Sequence, residues 1–368
     1  MTKNTSGNDP SRVLVPACFF LSGAAGLALE VVWSKYLSLL LGNSVHGVAT
    51  VVAAFLGGLG LGAALAGRRA ARIANPLSGY AMLEGVVGLL ALVSPFAYQA
   101  ARPLFSGLYE VLGGPGPLFH GVRFILLFAA LMVPTIAMGA TLPLIVEDAS
   151  RRRPKESSAA VARLYAINTG GAVLGTVLAG FLLVPEFGLA RTAITAGCLD
   201  LLLAATLFAA RIPSPAPFLT RAEFPRRAAT EASAPGAASA GERAATPGFA
   251  RWLLPAFALS GMAAILYQVA WTRLLTVPFG GITYAFSAIL AIYLLGLALG
   301  AAGAERALRR VRAPVALFGV LQGALAATVA GGLHALQQLP HWQTQAIAAS
   351  AGSVPQHIQV QRTFTVAL

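Results

Sequence analysis

Three acidic residues, Glu30, Glu84 and Asp200, lie inside long apolar stretches of this 368-residue chain. An ionised carboxylate within a bilayer costs at least about 2–3 kcal/mol on insertion scales, so we expect each one to face a bundle interior and to have a partner. Carboxylates in that setting can bind a cation. They can also form an internal salt bridge, which is the commoner arrangement, and the sequence leaves both interpretations open.

Other side chains in the apolar stretches could complete a cation site. Trp33 neighbours Glu30 on one helix, and it could add a cation–π contact, as could Trp271. Asn168 and Gln268 are uncharged hydrogen-bonding groups, and a residue such as Asn168 is more typical of contacts between helices. The candidate substrate-binding residues are Glu30, Trp33, Glu84, Asn168, Asp200, Gln268 and Trp271. The candidate charge partners are Lys35, Arg123 and Arg273.

No catalytic or metal-binding pattern is legible. The two cysteines, Cys18 and Cys198, lie in apolar segments without metal-ligand spacing, and the histidines are scattered. The run GGLGLG at 57–62 lies within a predicted helix and follows no strand, so it does not predict a dinucleotide-binding loop. We therefore predict no metal, no cofactor and no catalytic residue in this chain.

The composition places these residues in a membrane protein. The chain is 57% hydrophobic and only 11% charged, too few charged residues to cover a water-facing surface, and its mean hydropathy is +0.73. The net charge of +13 does not indicate nucleic-acid binding, because the basic residues cluster in short stretches between apolar runs, as the positive-inside rule describes. These clusters lie in 1–12, 68–72, 151–163, 211–251 and 306–312, and they predict a cytoplasmic N-terminus.

Apolar runs of about 20 residues predict ten membrane-spanning helices. Their approximate limits are 13–41, 45–67, 77–101, 119–146, 159–184, 189–211, 250–278, 281–305, 313–338 and a last run that begins near residue 357. We expect a cytoplasmic tail (1–12), a first six-helix repeat (13–211), a flexible cytoplasmic linker rich in Ala, Pro and Ser (212–249), and a second repeat (250–368) that is incomplete, with about four spans.

An internal repeat supports this division. Residues 19–68 align with 257–306 without gaps, and 19 of the 50 positions are identical. An even number of spans separates the copies, which predicts two parallel repeats related by an axis along the membrane normal. The glutamate at position 30 becomes Gln268 in the second copy, so we expect its role to be asymmetric. The predicted fold class is therefore an all-α, polytopic membrane helix bundle made of two parallel six-helix repeats, the second truncated.

Four stretches together resemble a known family: FFLSGAAGLALEVVWSKYLSLLLGNS, AAFLGGLGLGAALAGR, VPTIAMGATLPLI and RLYAINTGGAVLGTVLAGFLLVPEFGL. They are similar to bacterial fusion proteins that join a major-facilitator-like membrane domain to a C-terminal spermidine-synthase-like domain. The resemblance implies polyamine chemistry in the full-length protein, with decarboxylated S-adenosylmethionine or a related cosubstrate used by that second domain. This chain lacks the Gly-rich loop of such a domain, and its 68–76 loop lacks the Asp that major facilitators usually carry there.

The resemblance implies a multi-pass protein of the bacterial inner membrane with the lipid bilayer as its partner. We expect this chain to bind, conduct or anchor, with a cationic small molecule such as a polyamine as its ligand. Two alternatives remain: a secondary transporter of a small cationic or amphipathic solute, and a purely structural anchor. Whether the family's enzyme activity applies is open, since the catalytic domain would lie outside this chain.

Overall fold

The computed structural model describes residues 11–41, 45–152, 157–214, 247–276, 282–308 and 314–349. All regular structure in those ranges is helical, which confirms the prediction of an all-α chain. The α-helices are α1 Ser11–Leu41, α2 Val45–Gly67, α3 Pro76–Val111, α4 Pro117–Arg152, α5 Ser157–Leu178, α6 Val184–Ala210, α7 Pro247–Thr276, α8 Ile282–Leu308 and α9 Pro314–Ala349. The run predicted near residue 357, and most of the predicted tail and linker, lie outside the described residues.

Six helical segments in the described ranges are long and apolar enough to cross a membrane, so the chain has the character of a multi-pass membrane protein. They are Val13–Leu41, Thr50–Gly67, Pro76–Val111, Pro117–Arg152, Arg163–Ala210 and Val315–Gln338. A shorter apolar helical stretch covers Phe286–Gly300. The Arg163–Ala210 segment combines two predicted spans.

Helices α3 and α4 are longer than the predicted spans 77–101 and 119–146. Each has 36 residues, or about 54 Å at 1.5 Å per residue, against a hydrocarbon core about 30 Å thick. Helix α3 continues through Pro95 and Pro103 to Val111, because membrane helices tolerate proline where their neighbours satisfy the freed carbonyls. Arg102 therefore lies within a helix, where the sequence analysis ended the span just before it.

The chain divides into two compact units, residues 1–258 and 259–368. In the first, α1 packs on α5 and α6, α2 packs on α4, and α3 packs on α4 and α6. Two glycines of α5 allow its close approach to α1, because a Cβ at Gly171 would overlap the carbonyl oxygen of Phe20 and one at Gly175 would overlap that of Ala24. These two glycines therefore act as small packing residues between α5 and α1.

A π-helical segment at Ala179–Leu183 joins α5 to α6, and the helical path breaks at Gly188. Gly188 has a φ of 78°, a conformation that glycine adopts without the steric cost of a Cβ. The chain can therefore leave one span and begin the next with almost no loop. This break separates the two spans that the sequence analysis placed at 159–184 and 189–211.

Arg151, near the end of α4, holds the loop between α2 and α3. Its side chain is buried, its Nε donates to Glu147 at 2.8 Å, and its Nη atoms donate to backbone carbonyls of the loop. The acceptors are the carbonyl oxygens of Ala70, Ala71, Ile73 and Ala74. One guanidinium thus satisfies several carbonyls of a loop that contains no acidic residue of its own.

We expect Arg151→Lys to lower the free energy of unfolding by about 2 kcal/mol, because an ammonium cannot reproduce the fork of N–H donors that reaches these carbonyls. Unfolding in sodium dodecyl sulfate, followed by circular dichroism, measures the change. Arg69→Lys is the matched control, since Arg69 is exposed on the same loop and its replacement should change stability by less than about 0.5 kcal/mol. Equal losses in the two variants would contradict this role of Arg151.

Candidate cation-binding site

The candidate site is built on the first turns of α3. Asn75 begins this helix by accepting a hydrogen bond from the Ser78 backbone N–H at 3.1 Å, and Pro76 occupies the first helical position. From this start, Tyr80 and Glu84 follow one turn apart and share a face of the helix. Both are buried, with Glu84 3% exposed, about 12 Å along the helix from its beginning.

Two other helices each add a polar side chain to Glu84. Ser22 of α1 donates its hydroxyl to Glu84 Oε1 at 2.7 Å. Asp200 of α6 lies within hydrogen-bonding reach of the Glu84 carboxyl, and it is only 1% exposed. The Tyr80 hydroxyl lies next to the same carboxyl. Ser22, Tyr80, Glu84 and Asp200 form what we call the acidic cluster.

The acidic cluster has more acceptors than the described protein atoms satisfy. Neither carboxylate oxygen of Asp200 has a hydrogen-bond donor among the described residues, and the Tyr80 hydroxyl has no well-formed hydrogen bond there. Two carboxylates accept and cannot donate, so their proximity satisfies neither. Two adjacent buried carboxylates require a positive charge between or beside them, supplied by a proton or a bound cation.

The predicted charge partners do not supply that charge in the part of the chain that the structure describes. The ion pairs found there are Arg151–Glu147 and Arg152–Asp148, both between residues of α4. Arg123 instead donates to the Leu41 carbonyl at 3.5 Å and lies over the Phe119 ring. No ion pair to an acid is found for Lys35 or Arg273 among the described residues.

Glu30 and Trp33 lie farther along α1, one turn apart. Glu30 is 8% exposed, and no hydrogen bond or ion pair to its carboxyl is found within the described ranges. Trp33 is also buried, and its indole Nε1 has no acceptor there. Glu30 follows Ser22 by eight residues, or about 12 Å along the helix axis, so α1 carries a second acidic position above the acidic cluster.

The remaining candidate residues contact other residues of the protein. Asn168 of α5 donates to the Phe19 carbonyl of α1 at 2.9 Å, a contact of the kind that holds two helices together. Gln268 is buried in α7, and its carbonyl accepts from Thr272 at 2.7 Å. Trp271 packs close to Gly332, where an added Cβ would lie 2.8 Å from the indole ring. Gln268 and Trp271 belong to the second unit, and the other five candidates belong to the first.

Ser22 and Tyr80 were missed by the sequence analysis, although the internal repeat contains a signal for them. The second unit has an equivalent hydrogen bond, in which Gln322 Nε2 donates to Ser260 Oγ at 2.8 Å. Both pairs are separated by 62 residues along the chain. Extending the offset of the repeat into the third helix aligns Glu84 with Gln322 and Tyr80 with Phe318.

The second unit therefore keeps the contact between helices and lacks the charge. The amide of Gln322 donates to Ser260, whereas the Glu84 carboxylate accepts from Ser22, so a serine contact between these two helices can form without an acid. The same replacement relates Glu30 to Gln268.

Within the described residues, no group of three or more His, Cys, Asp and Glu side chains could hold a metal ion.

Several curated proteins are similar to part of the chain. It is 30% identical over 196 residues to polyamine aminopropyltransferase 2 of Streptomyces coelicolor, covering 53% of this chain and 34% of that protein. It is 27% identical over 190 residues to polyamine aminopropyltransferase 1 of the same organism, covering 52% and 32%. Polyamine aminopropyltransferase 2 of Ralstonia nicotianae is 28% identical over 185 residues, covering 50% and 33%. The chain thus spans about a third of the length of these relatives. No family model and no solved structure matches it.

Proposed function

We propose that this chain is the membrane domain of a spermidine-synthase-like fusion protein and that it binds a cationic solute of the polyamine class at the acidic cluster. The names of the relatives support the polyamine class, and the apolar helices support a location in the membrane. The proposed fold is major-facilitator-like, with two parallel repeats in the inner membrane and a cytoplasmic N-terminus, as the distribution of basic residues favours.

One observation carries the proposal: Asp200 is buried beside Glu84, and neither of its oxygens has a donor among the described residues. An alkylammonium group has three N–H donors and a positive charge. Ser22 occupies one oxygen of Glu84 and orients that carboxyl, while Asp200 and the Tyr80 hydroxyl remain as acceptors. A bound ammonium would satisfy these atoms and balance the charge.

The second acidic position on α1 favours a ligand with more than one amine. Glu30 lies about 12 Å beyond Ser22 along the helix, and Trp33 follows it by one turn. A flexible chain with amines at both ends could place one ammonium in the acidic cluster and another near Glu30, where an aromatic face attracts cations. A metal ion is a single charge centre, so it could not occupy the acidic cluster and the position near Glu30 at once.

The proposal is tested by the binding of radiolabelled spermidine to the 368-residue chain in lipid vesicles. The double variant Glu84→Gln/Asp200→Asn should bind at least about 30-fold more weakly, because each lost charge-assisted hydrogen bond is worth about 1.5–3 kcal/mol. Gln322 makes the corresponding bond in the second unit, so the amide at position 84 is compatible with the fold. Glu186→Gln is the control, since Glu186 is an exposed acid of α6.

Unchanged binding in the double variant would refute the site. Binding equal to that of empty vesicles in the unmodified chain would refute the function and favour the anchor. Proton-coupled transport is the second candidate, because a carboxyl pair can hold a proton in place of a cation. Uptake of spermidine that depends on an imposed pH gradient and is lost in Asp200→Asn would favour transport over binding alone.

A further inference from the structure

A large open pocket that contains charged side chains, here called the polar pocket, lies at the other end of α3, away from the acidic cluster. It has a volume of about 750 Å³ and is lined by the end of α1, the last turns of α3 and the first turns of α4. Its charged side chains are Arg102, Arg123 and Glu110. Arg102 and Arg123 are two of the few basic residues outside the clusters in the predicted cytoplasmic stretches.

The guanidinium of Arg123 is held in place and has unused donors. One Nη atom donates to the Leu41 carbonyl at 3.5 Å and lies 3.3 Å from His120 Nδ1, and the group stacks over the Phe119 ring at 5.1 Å. Its Nε–H is buried and has no acceptor in the part of the chain that the structure describes. No ion pair of either arginine with Glu110 is found there, so the pocket offers two positive groups to an anion.

An apolar pocket of about 220 Å³ adjoins the polar one. It is lined by aliphatic and aromatic side chains, among them Trp33, Tyr36 and Leu90. Along α3 its lining runs from Leu90 to Ala101, or about 16 Å, which matches the depth of one leaflet of a hydrocarbon core about 30 Å thick. Arg102 follows directly after the end of this lining.

Leu40 and Tyr98 line both pockets, so the two lie side by side. Tyr98 stacks on Tyr36 with their ring centroids 4.4 Å apart. Tyrosine is enriched at the level of the lipid headgroups, where its ring is apolar and its hydroxyl is polar. The two pockets together therefore offer an apolar pocket inside, an aromatic pair at the boundary and two guanidinium groups outside.

We propose that these two adjoining pockets together bind a phospholipid, with one acyl chain in the apolar pocket and the phosphate at Arg102 and Arg123. Arginine suits a phosphate because its planar fork of donors can bind two oxygens at once. The order of the groups along α3 and α4 matches the order of chain, glycerol and phosphate in a lipid. This site contains no residue of the acidic cluster, and Trp33 of its apolar pocket is the one residue that it shares with the proposed polyamine position near Glu30.

The test uses the purified 368-residue chain in detergent, with phosphatidylglycerol added as the probe and bound lipid counted by native mass spectrometry. The double variant Arg102→Gln/Arg123→Gln should bind the probe at least about tenfold more weakly, since it loses its charge-assisted hydrogen bonds. Ala130→Phe should weaken binding similarly, because Ala130 lines the apolar pocket and a phenyl ring would fill it. Arg191→Gln, an exposed arginine of α6 outside both pockets, should bind normally.

Three outcomes would overturn the proposal. Normal binding in the double variant would show that Arg102 and Arg123 do not bind the phosphate. Normal binding in Ala130→Phe would show that no acyl chain occupies the apolar pocket. Displacement of the lipid by excess inorganic phosphate from the unmodified chain would show that the pocket takes a free phosphate instead. This competition needs no variant, so it remains decisive even where a substitution prevents folding.

Discussion

Asp200→Asn is expected to raise the free energy of unfolding of the ligand-free chain by about 1–3 kcal/mol. Asp200 is buried beside Glu84, and neither of its oxygens has a donor among the described residues. An asparagine removes one of two adjacent acids and can donate an amide N–H to the remaining carboxylate. Removing a member of a buried salt bridge would have the opposite effect, a loss of about 3–5 kcal/mol.

A matched control exists in the same unit. Asp148 is as buried as Asp200, at 2% against 1% exposure, and its carboxylate is satisfied by Arg152 Nε at 2.7 Å and by the Ser214 hydroxyl. Asp148→Asn should therefore lower the free energy of unfolding. Thermal and detergent unfolding of both variants measure these two changes in the free energy of unfolding, which we expect to have opposite signs. A loss of stability in both variants would show that Asp200 has a structural partner.

The same pair of measurements links stability to binding. A ligand that binds only the folded state stabilises it in proportion to the logarithm of its concentration over its dissociation constant. Added spermidine should therefore raise the melting temperature of the unmodified chain and leave Asp200→Asn unchanged. Binding sites commonly lower the stability of the ligand-free protein, and the bound ligand then restores it.

The sequence predicted the helices of the first unit well, because a bilayer requires about 20 apolar residues per span and leaves backbone groups no alternative to helical bonding. It was less accurate where helices continue beyond the apolar stretch. Helix α3 extends past Arg102 to Val111, since nothing in the hydropathy distinguishes a helix end from a helix that enters the interface. The major-facilitator-like arrangement of the two repeats stays a prediction.

Two of the four residues of the acidic cluster, Glu84 and Asp200, are candidates from the sequence, whereas Ser22 and Tyr80 are not, and the binding role of the cluster stays a prediction. The sequence analysis selected Glu84 and Asp200 because an acidic residue within an apolar span is costly and usually has a specific role. Which helices meet is determined by the packing of small residues, which hydropathy does not reveal. The sequence analysis sought a basic partner for each acid, and the structure instead brings two acids together with Ser22 and Tyr80.

The comparison of the two units shows why charge and packing can be separated here. Ser22–Glu84 and Ser260–Gln322 each connect the first and third helices of their own unit, with the serine donating in the first pair and accepting in the second. A neutral amide thus suffices for this contact in the second unit. An acid is therefore not required for a contact of this kind, which supports the proposal that Glu84 binds a ligand.

The internal repeat also allows a test of helix packing, because α2 and α8 have glycines at equivalent positions. A Cβ at Gly58 would overlap the Thr135 side chain, and one at Gly62 would overlap the Ile136 carbonyl oxygen. The counterparts of these glycines, Gly296 and Gly300, have no atom within 4 Å of an added Cβ among the described residues.

We expect Gly58→Ala/Gly62→Ala to lower the free energy of unfolding by about 3–5 kcal/mol or to prevent folding, because each methyl meets backbone or a rigid side chain that cannot move away. Gly296→Ala/Gly300→Ala should change it by less than about 1 kcal/mol, and in the favourable direction, since alanine is the better helix former. Detergent unfolding of the 368-residue chain measures both. Gly60→Ala is an internal control on α2, because an added Cβ there has no neighbour within 4 Å. If all three variants lost stability alike, helix flexibility and not close approach to α4 would explain the glycines of α2.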